Sequence, residues 1–165
     1  MRTHCEHGFG PCWDAESEIL ILGSFPSVKS REEGFYYAHP QNRFWKVLAA
    51  LACEPVPAAV EEKKAFLKAH RIALYDVVES CTIIGSGDSS IEDVRVTDLT
   101  RILQGSNVGT RIFVNGGKAA ELYRKHQQSK LGIEAVQLPS TSSANARSSL
   151  ETLIRVWRER IGQIS

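Results

Sequence analysis

At 165 residues the chain predicts one ordinary domain, because a core of this size already buries about 68–70% of the unfolded surface. Its 20 basic and 19 acidic residues leave a formal charge of +1, which excludes binding to nucleic acid through bulk charge alone. Four cysteines at irregular spacings, no signal-peptide pattern and no apolar run near the ~18 residues of a membrane span predict a soluble, cytoplasmic protein without membrane contact.

Residues 1–16 are expected to form an irregular arm, and after them predicted strands alternate with predicted helices. Short apolar runs bounded by turn residues predict strands at residues 19–22, 72–78, 111–115 and 133–138. Apolar positions three and four apart predict helices at residues 43–52, 58–69, 96–103, 118–128 and 148–161. The alternation is typical of a three-layer α/β/α sandwich with a central, mainly parallel sheet of about four strands, all in one domain over residues 1–165. Ligands of such sheets bind at the carboxyl ends of the strands.

The first predicted strand leads into two segments that face this rim. Residues 23–27 read Gly-Ser-Phe-Pro-Ser and form a turn, which lacks the glycine spacing and lysine of a phosphate-binding loop. Residues 36–45 follow as Tyr-Tyr-Ala-His-Pro-Gln-Asn-Arg-Phe-Trp, which crowds rings, an amide and a cation together and predicts a pocket wall. Phe44 and Trp45 open a helix, so we expect them in the core.

Three later segments end predicted strands or follow them. Asp76 ends the second strand, where it either caps a turn or, when ionised, accepts a hydrogen bond from a ligand. Residues 85–90 lack the lysine of a phosphate loop and predict a mobile loop over the pocket. Residues 138–142 read Leu-Pro-Ser-Thr-Ser before the last helix, and this hydroxyl-rich loop is either a flexible connection or a phosphate-binding segment.

Residues 23–27, 37–45 and 138–142 together resemble the motifs of the uracil-DNA glycosylase superfamily. The similarity is closer to the hypoxanthine (deoxyinosine) DNA glycosylases and to the mismatch-specific uracil/thymine branch. It implies a DNA repair enzyme that flips a deaminated base, hypoxanthine first, out of damaged double- or single-stranded DNA and hydrolyses its N-glycosidic bond. The motifs contain no lysine nucleophile, so we expect a monofunctional enzyme that hydrolyses the bond with water and needs no metal or organic cofactor. We also expect a monomer.

The resemblance also implies roles for individual residues. Asn42 is the expected catalytic residue, which positions water, and it also suits the N-cap of a helix beginning at Arg43. Base binding is expected from Gly23, Ser24, Phe25, Tyr37 and Asp76, with the Tyr37 ring stacking on the base. Contacts to the DNA backbone are expected from Ser27, Ser140, Thr141 and Ser142. A metal site is not expected, since His4, Cys5, His7 and Cys12 lack zinc-like spacing.

Two positions depart from the common pattern of these relatives. Phe25 stands where many carry an Asn or Asp that orients water, and Leu138 stands where many carry His or Asn. Both losses argue against the usual uracil chemistry and favour hypoxanthine. Uracil excision from G:U mismatches stays an alternative, and so does a non-catalytic module that binds lesion DNA. A hydrolase with a nucleophilic serine is a weaker alternative, because no Gly-x-Ser-x-Gly elbow is present.

Overall fold

The computed structural model of the protein describes residues 2–84 and 91–164, so the mobile loop predicted at residues 85–90 lies outside the described residues. The strands are β1 (Thr3–Glu6), β2 (Ile19–Gly23), β3 (Ile72–Asp76), β4 (Val78–Ile83), β5 (Glu92–Val96), β6 (Ile112–Asn115) and β7 (Val136–Leu138). The helices are α1 (Val28–Glu33), α2 (Phe44–Ala52), α3 (Val60–Ala69), α4 (Thr100–Gly105), α5 (Gly117–His126), α6 (Gln128–Leu131) and α7 (Leu150–Ile161).

The centre of the molecule is a four-stranded parallel sheet with the order β3-β2-β6-β7. Every residue of β2 and β3 is buried, as expected of strands that helices cover on both faces. The register aligns Gly23 with Asp76 and Asn115 with Leu138, so four strands end at one rim. The predicted α/β class with a four-stranded, mainly parallel sheet is confirmed.

A second sheet, which the sequence analysis did not predict, has three antiparallel strands in the order β1-β4-β5. It corrects three expectations. Part of the arm at residues 1–16 is regular, because β1 pairs with β4. The strand predicted at residues 72–78 is divided at Val77, where the chain leaves one sheet and enters the other. The helix predicted at residues 96–103 begins later, because β5 extends to Val96 and the Asp98 carboxylate accepts the N–H of Thr100 at the start of α4.

Helices pack on the central sheet close to their predicted positions, with α1 as an addition. Helix α7 begins after Ser149, whose hydroxyl oxygen accepts the N–H of Thr152 as an N-cap. It packs against α2, where the rings of Trp157 and Phe44 meet edge to face at 5.9 Å. None of the helices in the described part of the chain is long and apolar enough to cross a lipid bilayer.

Candidate active site

A cleft of about 320 Å³ opens at the rim where the parallel strands end. All ten predicted site residues line it, namely Gly23, Ser24, Phe25, Ser27, Tyr37, Asn42, Asp76, Ser140, Thr141 and Ser142. Asn115 and His39 also line the cleft. The structure therefore brings together segments that are more than a hundred residues apart in the chain.

The side chain of Asn42 is held in one orientation by two donors. Its Oδ1 accepts the backbone N–H of Phe44 at 3.0 Å and the hydroxyl of Thr141 at 2.8 Å. Asn115 Nδ2 in turn donates to the Thr141 hydroxyl at 3.0 Å. Because a backbone N–H can only donate, the amide oxygen must face Phe44, and Nδ2 is the polar atom left for a ligand. Helix α2 begins at Phe44 and not at Arg43 as predicted, so Arg43 and not Asn42 is the N-cap residue. Asn42 stands one position earlier and accepts the first N–H of the helix, that of Phe44.

Arg43 holds the loop between β7 and α7 through backbone carbonyls. Its guanidinium donates to the carbonyl oxygens of Ser142 at 2.9 Å and Asn145 at 3.1 Å, and also to those of Thr141 and Ser148. The Arg43 backbone N–H adds a bond to the Thr141 carbonyl at 3.0 Å. The planar guanidinium group can donate to several acceptors at once, so Arg43 stabilises the conformation of this loop.

Tyr37 forms one wall of the cleft in a strained backbone conformation. Its φ of 52° lies in the left-handed region, which is uncommon for a bulky residue and is found mostly where surrounding structure imposes it. The ring stacks on Phe44 with centroids 3.8 Å apart and planes 16° from parallel. Phe44 and Trp45 are buried, which confirms their predicted place in the core.

Asp76 is bonded to His7, a residue that the sequence analysis placed in an irregular arm. His7 Nε2 lies 2.7 Å from Asp76 Oδ2, and the two side chains are 1% and 4% exposed. The other carboxylate oxygen, Oδ1, lies over Gly23, only 2.5 Å from where a β-carbon would stand. No spacing signal links two residues 69 positions apart, so only the fold could reveal this pair.

Comparisons with known proteins agree with this geometry. Residues 9–159 match the profile of the uracil DNA glycosylase superfamily. The chain belongs to this superfamily. A hypoxanthine DNA glycosylase of Methanosarcina acetivorans is 37% identical over 145 residues, which cover 87% of this chain and 90% of that protein. A hypoxanthine DNA glycosylase of Methanosarcina barkeri is 32% identical over 155 residues, which cover 93% and 96%.

The fold is also similar to a solution NMR structure from Methanosarcina acetivorans, a uracil DNA glycosylase candidate. The TM-score is 0.77 at 35% identity, and the match covers 96% of this chain and 98% of that one. The predicted superfamily is thus confirmed by sequence and by structure.

The two departures from the common superfamily pattern lie in different surroundings. Phe25 is half-buried and lines the cleft, with the Arg31 guanidinium carbon 5.4 Å from its ring centroid. Leu138 ends β7 and is fully buried, so its side chain belongs to the core. Neither Phe25 nor Leu138 has a side-chain hydrogen-bond donor or acceptor, so neither can orient a water molecule or bind a base through such a group.

The hydroxyl groups of the cleft divide into buried and accessible ones. Every polar atom of Thr141 is bonded within the protein, since its N–H donates to Asn115 Oδ1 and its carbonyl accepts from Arg43. Its side chain is also fully buried, unlike those of Ser140 and Ser142. Ser27 caps α1 by accepting the N–H of Ser30. The DNA-backbone role expected of Thr141 thus does not fit its side chain, which positions Asn42.

No group of three or more His, Cys, Asp or Glu side chains is placed to hold a metal ion within residues 2–84 and 91–164. His7, one of the four residues considered for such a group, is engaged by Asp76.

Proposed function

We propose that the protein excises a deaminated base from DNA by hydrolysing the N-glycosidic bond, and that hypoxanthine is its preferred base. The observation that carries this proposal is the similarity to two hypoxanthine DNA glycosylases over 87% and 93% of the chain. The cleft supports it with an acceptor, an aromatic wall and an oriented amide at one rim.

The base would enter the cleft after it is flipped from the duplex. Flipping costs a few kcal/mol and costs least for a mispaired base. The Tyr37 ring, which lines the cleft and packs against Phe44, would stack on the base, and such stacking contributes about 1–3 kcal/mol. Asp76 Oδ1 would accept the N1–H of hypoxanthine, while Gly23, Ser24 and Phe25 would border the base.

Hydrolysis then needs a water molecule held against the sugar. The water oxygen forms a bond to C1′ while the C1′–N bond breaks and the base leaves with the electron pair. The proton that the water loses neutralises the departing base anion. Asn42 Nδ2 would hold this water by donating to its oxygen, since Oδ1 already accepts two hydrogen bonds. None of the described residues that line the cleft is a lysine, in keeping with a monofunctional hydrolase.

The DNA backbone would lie across the loop after β7. Ser27, Ser140 and Ser142 line the cleft and are only partly buried, so they would contact the phosphates. We propose that the protein acts as a monomer. The cytoplasmic location stays a prediction.

Uracil is the second candidate substrate, because its N3–H offers Asp76 the same donor as the N1–H of hypoxanthine. The similar NMR structure of a uracil DNA glycosylase candidate favours keeping it. Uracil is smaller than hypoxanthine and would make fewer contacts with the cleft, so we expect slower excision of uracil.

A labelled duplex series with a single deoxyinosine, deoxyuridine or deoxyxanthosine, each against every opposite base, tests the proposal. After treatment with the protein and alkali, we expect strand cleavage at deoxyinosine and less at deoxyuridine. Cleavage only at deoxyuridine would replace hypoxanthine by uracil. Binding to lesion DNA without any cleavage would favour a non-catalytic binding module.

Gly23→Ala should impair excision strongly, because the new β-carbon would lie 2.5 Å from Asp76 Oδ1 and 3.0 Å from the Tyr37 hydroxyl. Displacement of groups that position a substrate by about 1 Å can cost about 100-fold in rate. Single-turnover excision of hypoxanthine measures the effect. Gly117→Ala is the matched control, since its nearest neighbour is a side-chain atom 3.8 Å away. Equal excision rates for the two variants would show that the base is not held beside Gly23 and Asp76.

A further inference from the structure

His7 is buried behind the cleft and has no role in the chemistry described above. It is 1% exposed and cannot touch a ligand. Its ring packs among Phe9, Tyr75 and Tyr36 at centroid distances of 4.6, 5.2 and 5.8 Å. Among these aromatic rings its Nε2 reaches Asp76 Oδ2 at 2.7 Å. Aromatic packing alone does not call for a histidine, so its two nitrogens need an explanation.

The backbone around Gly10 decides which nitrogen of His7 carries the proton. The N–H of Gly10 donates to His7 Nδ1 at 3.3 Å. The Gly10 carbonyl in turn accepts the Tyr36 hydroxyl at 2.6 Å. Burial, together with the nearby Asp76 carboxylate, raises the pKa of the Tyr36 hydroxyl, which therefore stays a donor. Because a backbone N–H can only donate, Nδ1 must accept, and the ring proton sits on Nε2.

This arrangement determines what Asp76 presents to the cleft. Nε2–H donates to Oδ2 from the protein side, so the carboxylate is held from behind. Oδ1 lies beside Gly23, and because Gly23 and Asp76 both line the cleft, we infer that this oxygen faces it. A bound base therefore meets an oxygen that only accepts hydrogen bonds.

We propose that His7 is a positioning residue that determines base specificity, by fixing Asp76 so that only an acceptor faces the flipped base. Deamination converts the N1 acceptor of adenine into the N1–H donor of hypoxanthine, and the N3 acceptor of cytosine into the N3–H donor of uracil. An acceptor held in place pairs with the deaminated base and repels the lone pair of the normal one. This inference rests on the proposed function and adds to it the pair of residues, His7 and Asp76, that would recognise the base.

Asp76→Asn tests whether His7 fixes the side chain at position 76, because an amide has one acceptor end and one donor end. His7 Nε2–H would donate to the amide oxygen, which turns the NH₂ group toward the cleft. That NH₂ donor would then face the N1–H donor of hypoxanthine, and the two repel each other. We expect single-turnover excision of hypoxanthine to fall about 10-fold to 100-fold. In the double variant His7→Phe, Asp76→Asn, no donor holds the oxygen from behind, so the amide can rotate. The double variant should then recover about 10-fold over Asp76→Asn alone.

His7→Gln is the conservative control, since its amide can accept from Gly10 and donate to Asp76. We expect it to keep most of the wild-type rate, and rates are taken on protein that thermal unfolding shows to be folded. Nitrogen NMR of the labelled wild-type protein gives a readout independent of activity. It should show His7 with a protonated Nε2 and an unprotonated Nδ1.

The outcomes separate this inference from the proposed function. Excision of hypoxanthine by the wild type, with no loss in Asp76→Asn or no recovery in the double variant, would overturn the role of His7 and leave the function standing. A protonated Nδ1 would overturn it as well. If the wild type releases no base from any lesion, the proposed function fails, and the nitrogen NMR alone decides whether His7 holds Asp76 as described.

Discussion

Asn42→Ala should lower the rate of hypoxanthine excision by about 100-fold or more, the scale expected when a group that positions the attacking water is lost. The structural cost is smaller. The first N–H of α2 loses its acceptor, at about 1 kcal/mol, and the Thr141 hydroxyl loses one acceptor, at about 1–3 kcal/mol. Single-turnover rates, normalised to the folded fraction, separate the chemical loss from this loss of stability.

Asn42→Asp is the matched variant, because a carboxylate keeps both accepted hydrogen bonds and replaces the Nδ2 donor by an oxygen. If donation from Nδ2 holds the water, this variant should be stable and nearly as slow as Asn42→Ala. Full activity of Asn42→Asp would mean that an acceptor is what the reaction needs. A folded Asn42→Ala protein within about threefold of the wild type would remove Asn42 from the mechanism altogether.

Arg43→Ala should have the largest effect on stability. The guanidinium donates to four backbone carbonyls of the loop after β7, and hydrogen bonds to charged groups contribute about 1.5–3 kcal/mol each. We expect a loss of about 3 kcal/mol or more in the free energy of unfolding. Excision should also fall, because the loop carries Thr141, which holds Asn42. Urea unfolding and amide hydrogen exchange of residues 141–148 measure the two effects.

Arg43→Lys is expected to lie between the wild type and Arg43→Ala, since an ammonium lacks the planar fork. Arg155→Ala is the surface control. Its guanidinium forms an exposed ion pair with Glu159, so its removal should change stability by about 0.5 kcal/mol or less. If Arg43→Ala had the same free energy of unfolding as the wild type and the same hydrogen-exchange protection of the loop, the structural role assigned to Arg43 would be contradicted.

The central sheet and the position of the cleft were predictable because their signals are local. The strand at residues 19–22 is a continuous apolar run followed at once by Gly and Pro, and such a run has to be covered on both faces. The place of Asn42 beside the cleft was predictable because it stands within a recognisable motif shortly before a helix. Its orientation was not predictable, since Thr141 and Asn115 reach it from other parts of the chain.

The second sheet escaped prediction because its strands depend on distant partners. Strand β1 reads Thr-His-Cys-Glu, with only Cys5 buried, and has no alternation that would distinguish it from a polar arm. Its pairing with β4 brings His7 behind the cleft, where the next backbone bond runs from His7 to Glu79. The division of residues 72–78 at Val77 has the same cause, since a run that is apolar except for Asp76 does not reveal a change of sheet.

Mass-spectrometric detection of the free base released from a duplex with one deoxyinosine, under single-turnover conditions, tests the proposed activity most directly. We expect free hypoxanthine in an amount equal to the abasic sites formed. We also expect no release of adenine from the matched normal duplex, and a release of hypoxanthine about 100-fold slower with Asn42→Ala. The absence of free hypoxanthine, or equal release of adenine, would contradict the claim that this cleft recognises and excises a deaminated base.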